Sequence, residues 1–420
     1  MAKVDTHVKS ESAWDTAERR ALSELVHDFT TTRIAPHLRE WEATGELPRE
    51  LHEQAGDLGL LGLSYSDDIG GSGGDLVDVT LMTESLLKAG ASGGVVAGLF
   101  THGISIPHVV DAARRRQQAG DDAGAALLIE RVVRPTLAGR SITALGVTES
   151  DGGSDVGALR THAEPVDRAG NPCDPTAAHE WVLNGTKAYI TSGARADTVV
   201  VAARAFGAGA QGVALFAVPT DSEGFTVVRR MQKMGWHCSD TAELAFTDLK
   251  VPAWTLLAPA PGLGFASLAR HFAAERISLA VTAYATAQRC LDLTVAWTRS
   301  RETFGRPLIT RQVVRQQLVE MHRVIDVART YTRALVTDVV AADAESDLLP
   351  PELLARAAMA KNTAVAACDE VVAQAVQLHG GFGFTTDAEV EMHYRDAKVL
   401  GIGGGATEVM TDLAAKLLGY

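Results

Sequence analysis

A chain of 420 residues, 46% hydrophobic and 22% charged, has the length for two or three domains and an ordinary globular composition. A formal net charge of −13 without a basic block argues against a nucleic-acid partner, whose binding rests on clustered Lys and Arg, and is read as general solubility. No apolar run approaches the ~18–20 residues of a membrane span.

The amino terminus, MAKVDTHVKSESAWDTAERR, is polar and has no apolar h-region, so no secretory signal is expected. Residues 14–143 then carry a helical period. Leu22, Leu25, Val26 and Phe29 fall at i, i+3, i+4 and i+7 and predict one apolar helix face, and Val77 to Leu87 forms a second such run. Gly and Asp in SDDIGGSGGD (66–75) break the helices. From about 144 to 255 the texture is β-prone. WVLNGTKAYIT holds two β-prone runs separated by Asn184-Gly185, which predicts a two-residue hairpin turn because both positions tolerate positive φ. VVVAARA, GVALFAV, FTVVRR and AELAFTDL add short strands, and Pro252 closes the region. Residues 165–180, rich in Pro, Asp, Gly and Ala, read as a surface loop. From Gly262 to Tyr420 the helical period returns. The expected class is α+β: a helical domain over 1–143, a β domain over 144–255 and a helical domain over 256–420.

Cys173, Cys238, Cys290 and Cys368 show no CxxC spacing, and HExxH is missing, so neither metal nor disulfide framework is expected and a cytoplasmic location is read. GIGGGA (401–406) fits G-x-G-x-x-A, but too few residues follow it for a βαβ unit, which excludes a dinucleotide fold there. Two features are better candidates. ALGVTESDGGSDVGALRT (144–161) offers small side chains and backbone N–H groups at Thr148, Ser150, Gly152, Gly153 and Ser154, as a loop cradling a phosphate or flavin edge would, although taken alone it reads more readily as a polar turn ending a strand. Leu268, Phe272, Glu275 and Leu279 share one helix face. A carboxylate on such a stripe is either partly buried, raised in pKa and fit to act as a base, or paired with His271 one turn away.

Eight stretches in order, YSDDIGGSGGD, ALGVTESDGGSD, WVLNGTKAYITSGARAD, MGWHCSDTAELAFTDLKVP, AAERISLA, RSRETFGRPL, QLHGGFGF and YRDAKVLGIGGGATEVM, resemble the signatures of the acyl-CoA dehydrogenases. That resemblance implies an acyl-CoA dehydrogenase-like fold: an N-terminal helical domain, a middle β domain and a C-terminal four-helix bundle, assembled as a homotetramer. It also implies FAD-dependent α,β-dehydrogenation of an acyl-CoA thioester to the trans-2-enoyl-CoA in fatty acid metabolism, with an electron-transfer flavoprotein as acceptor. By the same resemblance, Val147, Thr148, Gly153 and Ser154 line the isoalloxazine and the adjoining pyrophosphate and thioester. Tyr189 packs on the ring, Ile190 lies beside it, and the Thr191 hydroxyl reaches toward N5. Arg301, Phe304, Gln312, Gln377, Gly380 and Gly381 hold the ADP half of a neighbouring subunit's FAD. Ala406, Thr407 and Glu408 open the last helix, where N–H groups suit a pyrophosphate. Ser154, Arg276 and Gly405 face the substrate, and the Gly404 N–H donates to its thioester oxygen.

Most relatives place the catalytic Glu in a motif like YEGT, directly before the final helix. Here Gly403-Gly404-Gly405-Ala406 puts Gly404 at that position. A minority, resembling the isovaleryl-CoA and long-chain enzymes, carry the base on a bundle helix just before an Arg, as Glu275-Arg276 does. Glu275 is therefore expected to take the α-proton while the β-hydride goes to flavin N5. Ser150 replaces the usual Pro, and Ala273 stands where many relatives have an Asp at the CoA end. The second departure leaves a carrier-protein thioester as an alternative substrate. A same-fold oxidase or monooxygenase is an alternative chemistry, and a non-catalytic partner subunit a third reading.

Overall fold

The computed structural model describes residues 13–343 and 349–420, so most of the polar stretch that carries no sign of a secretory signal lies outside the described residues. Helix α1 (Ala17–Phe29) starts where the Thr16 hydroxyl accepts from the Arg19 N–H, and it buries Val26 and Phe29. Leu22 packs against the same core, but Leu25, expected on that face, is 38% exposed. The apolar stripe is wider than the surface it meets, so its fringe residue stays in solvent. Then come α2 (Leu38–Thr44), α3 (Arg49–Asp57), α4 (Leu76–Ala89), α5 (Gly93–Leu99), α6 (Ile106–Gln118), α7 (Asp122–Leu128) and α8 (Arg134–Leu137). The break at 66–75 ends at Asp75, whose carboxylate forms a reciprocal capping box with Asp78 and starts α4.

Seven strands follow: β1 (Thr143–Gly146), β2 (His162–Val166), β3 (Glu180–Thr191), β4 (Thr198–Arg204), β5 (Val213–Pro219), β6 (Phe225–Arg230) and β7 (Thr241–Pro252). They form one sheet in the order β1-β4-β2-β3-β7-β6, with β5 on the other side of β4. In β4, Val200 and Ala202 pack toward α6 and α7, while Val199, Val201 and Ala203 pack into a second core with Trp181 and Phe216. Burial on both faces explains an unbroken apolar run where a half-exposed strand would alternate. The expected surface loop begins two residues later than the sequence suggests, because Pro165 and Val166 pair with Trp181 and Glu180.

The hairpin expected at Asn184-Gly185 does not form. β3 runs through it as one strand, paired with β2 on one side and β7 on the other, with a register shift between Leu183 and Gly185. Gly185 has φ +146°, and a Cβ there would stand 2.7 Å from the Thr161 Cα. The dipeptide serves a bulge and a close backbone approach rather than a turn.

The last third is helical: α9 (Leu263–Ser300), a short β8 (Glu302–Thr303) and β9 (Arg306–Pro307) pair, α10 (Gln312–Asp343), α11 (Pro351–His379), α12 (Glu389–Ala397) and α13 (Thr407–Leu418). α9 has no Pro or Gly after Gly264 and extends about 57 Å at 1.5 Å per residue. Its first turns rest on the sheet: a Cβ on Gly264 would meet the Val213 carbonyl oxygen at 2.3 Å, and Leu268 shares a core with Val213 and Val109. From Ile277 onward it packs with α10 and α11 around Tyr284, Ile325 and Val371. Glu275 lies where these two cores meet. Among the described residues no helix is long and apolar enough to cross a membrane.

Candidate active site

Glu275 is partly buried on α9, and desolvation pushes its carboxyl above the usual range, opposed by Arg276 and then by Lys361. The alternative pair with His271 does not form, because His271 Nε2 is 2.8 Å from Asp111 Oδ2 on α6. No hydrogen bond joins the Glu275 carboxylate to another described residue. It faces the loop before α13. Gly404 there has φ +62°, and a Cβ built on it would stand 3.3 Å from Glu275 Oε1 and 2.3 Å from Leu279 Cδ1. Gly405 follows at φ +99°, its own Cβ position 2.4 Å from Met410 Cε. Both conformations suit glycine and strain any other residue.

Sequence reasoning missed Lys361. Its side chain is fully buried on α11, and its ammonium donates to the carbonyls of Gly403 and Gly405. Burial pushes it down to about 8, Glu275 working against that fall. The signal was present: Lys361 lies three and four residues from Ala357, Ala358, Ala364 and Val365, all buried, a stripe like the one that singled out Glu275. Arg276 is also buried, with its guanidinium 5.6 Å over the Phe272 ring and Nε without an acceptor among the described residues. Arg276 forms no salt bridge with any described residue.

The sheet contributes a second group. Thr148 accepts from the Ala188 N–H at 2.9 Å through its carbonyl, and Lys187 Nζ donates to the Val147 carbonyl at 3.1 Å. Lys187, fully buried, also meets Glu149 Oε1 at 2.8 Å. Glu149 further accepts from the Arg160 and Thr161 N–H groups and the Thr161 hydroxyl; against desolvation, Lys187 first and then these donors hold it down to about 2. The 147–161 segment is thus tied to β3 from below. A Cβ on Gly153 would lie 3.5 Å from Thr148 Cγ2, while Gly153 and Ser154 are exposed. The β3 register shift between Lys187 and Ile190 turns Tyr189 outward at φ +61° and 64% exposed, with Ile190 buried and Thr191 paired to Thr241.

The third group is elsewhere. Trp297 stacks on His379 and Phe382, each with ring centroids 5.1 Å apart, and so joins the carboxyl-terminal ends of α9 and α11. Arg301, Gln312, Gln377, Gly380 and Gly381 are exposed there, and Phe304 is 96% exposed at φ +50°. Arg301 lies 26 residues beyond Glu275 along one helix and its cap, about 39 Å at 1.5 Å per residue. Ala406 caps α13 without a side-chain hydrogen bond, so the helix opens on free backbone N–H groups beside Thr407 and an exposed Glu408.

Comparison with known proteins places this architecture. The acyl-CoA dehydrogenase N-terminal, middle and C-terminal domain profiles match residues 16–119, 144–249 and 262–419. The mitochondrial long-chain specific acyl-CoA dehydrogenase of Rattus norvegicus is 32% identical over 95% of this chain and 86% of its own. A crystal structure from Mycobacterium abscessus, named a probable acyl-CoA dehydrogenase, is 50% identical with a TM-score of 0.87, covering 97% of this chain and 100% of that one. A Mycobacterium smegmatis glutaryl-CoA dehydrogenase solved in complex with FADH2 is 25% identical with a TM-score of 0.78, over 97% and 96% of the two chains. The helical, β and helical order is that of a flavoprotein oxidoreductase. This chain belongs to the acyl-CoA dehydrogenase family.

Proposed function

We propose that the chain dehydrogenates an acyl-CoA thioester between Cα and Cβ, with Glu275 as the base. The observation that carries this is the Glu275 carboxylate 3.3 Å from the place a side chain on Gly404 would begin. A base on either position would approach the same point from two different elements. Glu275 makes no hydrogen bond to the described residues, and desolvation raises its carboxyl, as a group that must accept a proton near neutral pH requires. Beside it, the Gly404 N–H donates to no described residue and is free for a thioester oxygen, where charge develops as the α-proton leaves.

The residues present fit FAD. Tyr189 offers an exposed aromatic face in a left-handed conformation, Thr148 lies against a glycine that leaves room, and α13 opens on uncapped N–H groups. When bound, FAD supplies the two-electron acceptor for the β-hydrogen. Val147, Thr148, Gly153, Ser154, Tyr189, Ile190 and Thr191 would hold its ring, and Ala406, Thr407 and Glu408 the pyrophosphate end. Ser154, Arg276 and Gly405 would orient the thioester. Arg301 and Glu275, about 39 Å apart along α9, cannot reach the same reacting ring, so Arg301, Phe304, Gln312, Gln377, Gly380 and Gly381 would serve a neighbour's cofactor in a tetramer.

The test is flavin reduction on rapid mixing with straight, branched, aromatic and steroid-like acyl-CoAs, followed by reoxidation with an artificial acceptor or air. The purified protein should be yellow with non-covalent FAD and reoxidise slowly in air, as an enzyme that hands electrons to an electron-transfer flavoprotein does. A colourless protein that takes up no FAD would refute the assignment. Rapid reoxidation by oxygen during turnover would make it an oxidase instead.

A further inference from the structure

We propose that Lys361 is a positioning residue: it holds the Gly403–Gly405 loop so that the Gly404 N–H points at the substrate beside Glu275. The inference rests on Glu275 being the base and adds the group that fixes the amide next to it.

The geometry comes from the peptide bond. A trans peptide is planar, so its C=O and N–H point in opposite directions. Lys361 grips the Gly403 oxygen from the α11 side, which turns the N–H of the same peptide, that of Gly404, away from α11. The second grip, on the Gly405 oxygen, fixes the other end of the loop. Two successive glycines at φ +62° and +99° have no side chains to restrain them, so the loop would otherwise sample many conformations. A fully buried ammonium bound to two carbonyls is an expensive way to pin three glycines, since burial strips its hydration. It is explained if the pinned N–H does the binding.

The electrostatics point the same way. The charged groups acting on Lys361 are Glu275 and Arg276, both from α9. The loop contributes backbone only, and the carboxylates of α13, Glu408 and Asp412, are exposed. Glu275 in turn has two cations opposing its desolvation, Arg276 and Lys361. Without the ammonium the carboxyl moves higher still, and a base that must be ionised then works only at higher pH.

The experiment measures flavin reduction by rapid mixing in the holoenzyme across pH, for the parent, Lys361→Met, Lys361→Arg and Glu275→Gln. Lys361→Met should reduce its flavin about 10²-fold more slowly, the effect of misplacing a contact group by about 1 Å. Its acid limb should move to higher pH while FAD content stays unchanged. Lys361→Arg keeps the charge and should leave the acid limb in place while recovering part of the rate. Amide hydrogen exchange over Gly403–Ala406 should rise in the Met variant, a readout independent of turnover. If Lys361→Met does not fold, Lys361→Gln takes its place with the same expectation. A parent-like rate and an unmoved acid limb, beside a slow Glu275→Gln, would overturn the role of Lys361 alone. A parent-like rate in Glu275→Gln would overturn the base.

Discussion

Replacing Glu275 by Gln keeps the shape and the hydrogen-bonding capacity of the side chain and removes only its ability to accept a proton. Loss of a general base slows flavin reduction by about 10²–10⁴-fold, which at 1.36 kcal/mol per tenfold is about 2.7–5.4 kcal/mol of barrier. Thermal stability should move the other way. Burial raises the Glu275 carboxyl above its unfolded value, so the parent loses folding stability as pH rises through the raised value, and Gln removes that loss. At pH 8 Glu275→Gln should therefore melt no lower than the parent while reducing its flavin far more slowly. The structure also sets the outcome of moving the carboxylate. Gly404→Glu in a Glu275→Gly background places the new side chain within 3.3 Å of the old carboxylate oxygen, but at φ +62° and 2.3 Å from Leu279 Cδ1. The left-handed backbone costs roughly 1–2 kcal/mol, about a tenfold shortfall in recovered rate, and Leu279→Ala should narrow the steric part. Stopped-flow absorbance of the flavin at saturating acyl-CoA isolates this step from electron transfer. Parent-like flavin reduction in Glu275→Gln would refute the assignment.

Arg301→Ala should loosen FAD by about 1.5–3 kcal/mol, the worth of a charge-assisted contact, read by cofactor titration; a fully active monomer in sedimentation would end the shared-site reading. The acyl-CoA panel should show tolerance of branching or bulk near the α-carbon, since residue 404 carries no side chain and the proposed base, Glu275, stands on α9; a strong preference for short straight chains would sink that expectation. Lys187→Met should destabilise the fold by roughly 3–5 kcal/mol by leaving Glu149 without its cation. Because Glu149 is held down to about 2 from 4.5, this contribution is present above about pH 4.5 and fades as pH falls toward 2, so urea midpoints of variant and parent should converge in acid.

What the sequence discloses here is what local periodicity and charge can carry. α4 and α9 are legible because their apolar spacing and breakers are local, and Glu275 stands out because a carboxylate interrupts a stripe. Asn184-Gly185 misleads because a glycine allows a turn and a bulge equally. The choice is made by Thr161, 24 residues earlier, whose backbone crosses too near for a Cβ. Leu25 misleads because periodicity gives a face but not how wide a partner meets it. The partners of the candidate site are non-local in the same sense. That Glu275 meets Gly404, and that His271 prefers Asp111, depends on α9 packing between two cores.

The convergence of positions 275 and 404 also explains why a base could change address without the site being rebuilt. The reacting proton fixes where a carboxylate must be, and two elements end within one side chain of that point. Their backbones differ in what they allow. Residue 275 sits in regular helix, where any good helix former is unstrained. Residue 404 sits at φ +62°, where only glycine is free of cost. With the carboxylate on α9, the loop needs to present nothing but its amide, and three consecutive glycines become acceptable so long as something else holds them. Lys361 is placed to do that from α11, where its ammonium donates to the Gly403 and Gly405 carbonyls and feels the charge of Glu275 on α9. The proposed base, amide donor and restraint thus come from three separate elements. A change at any one of them should be felt at the other two, and double-mutant cycles between Glu275 and Lys361 should show a coupling well beyond the ~0.3–0.5 kcal/mol expected of independent sites.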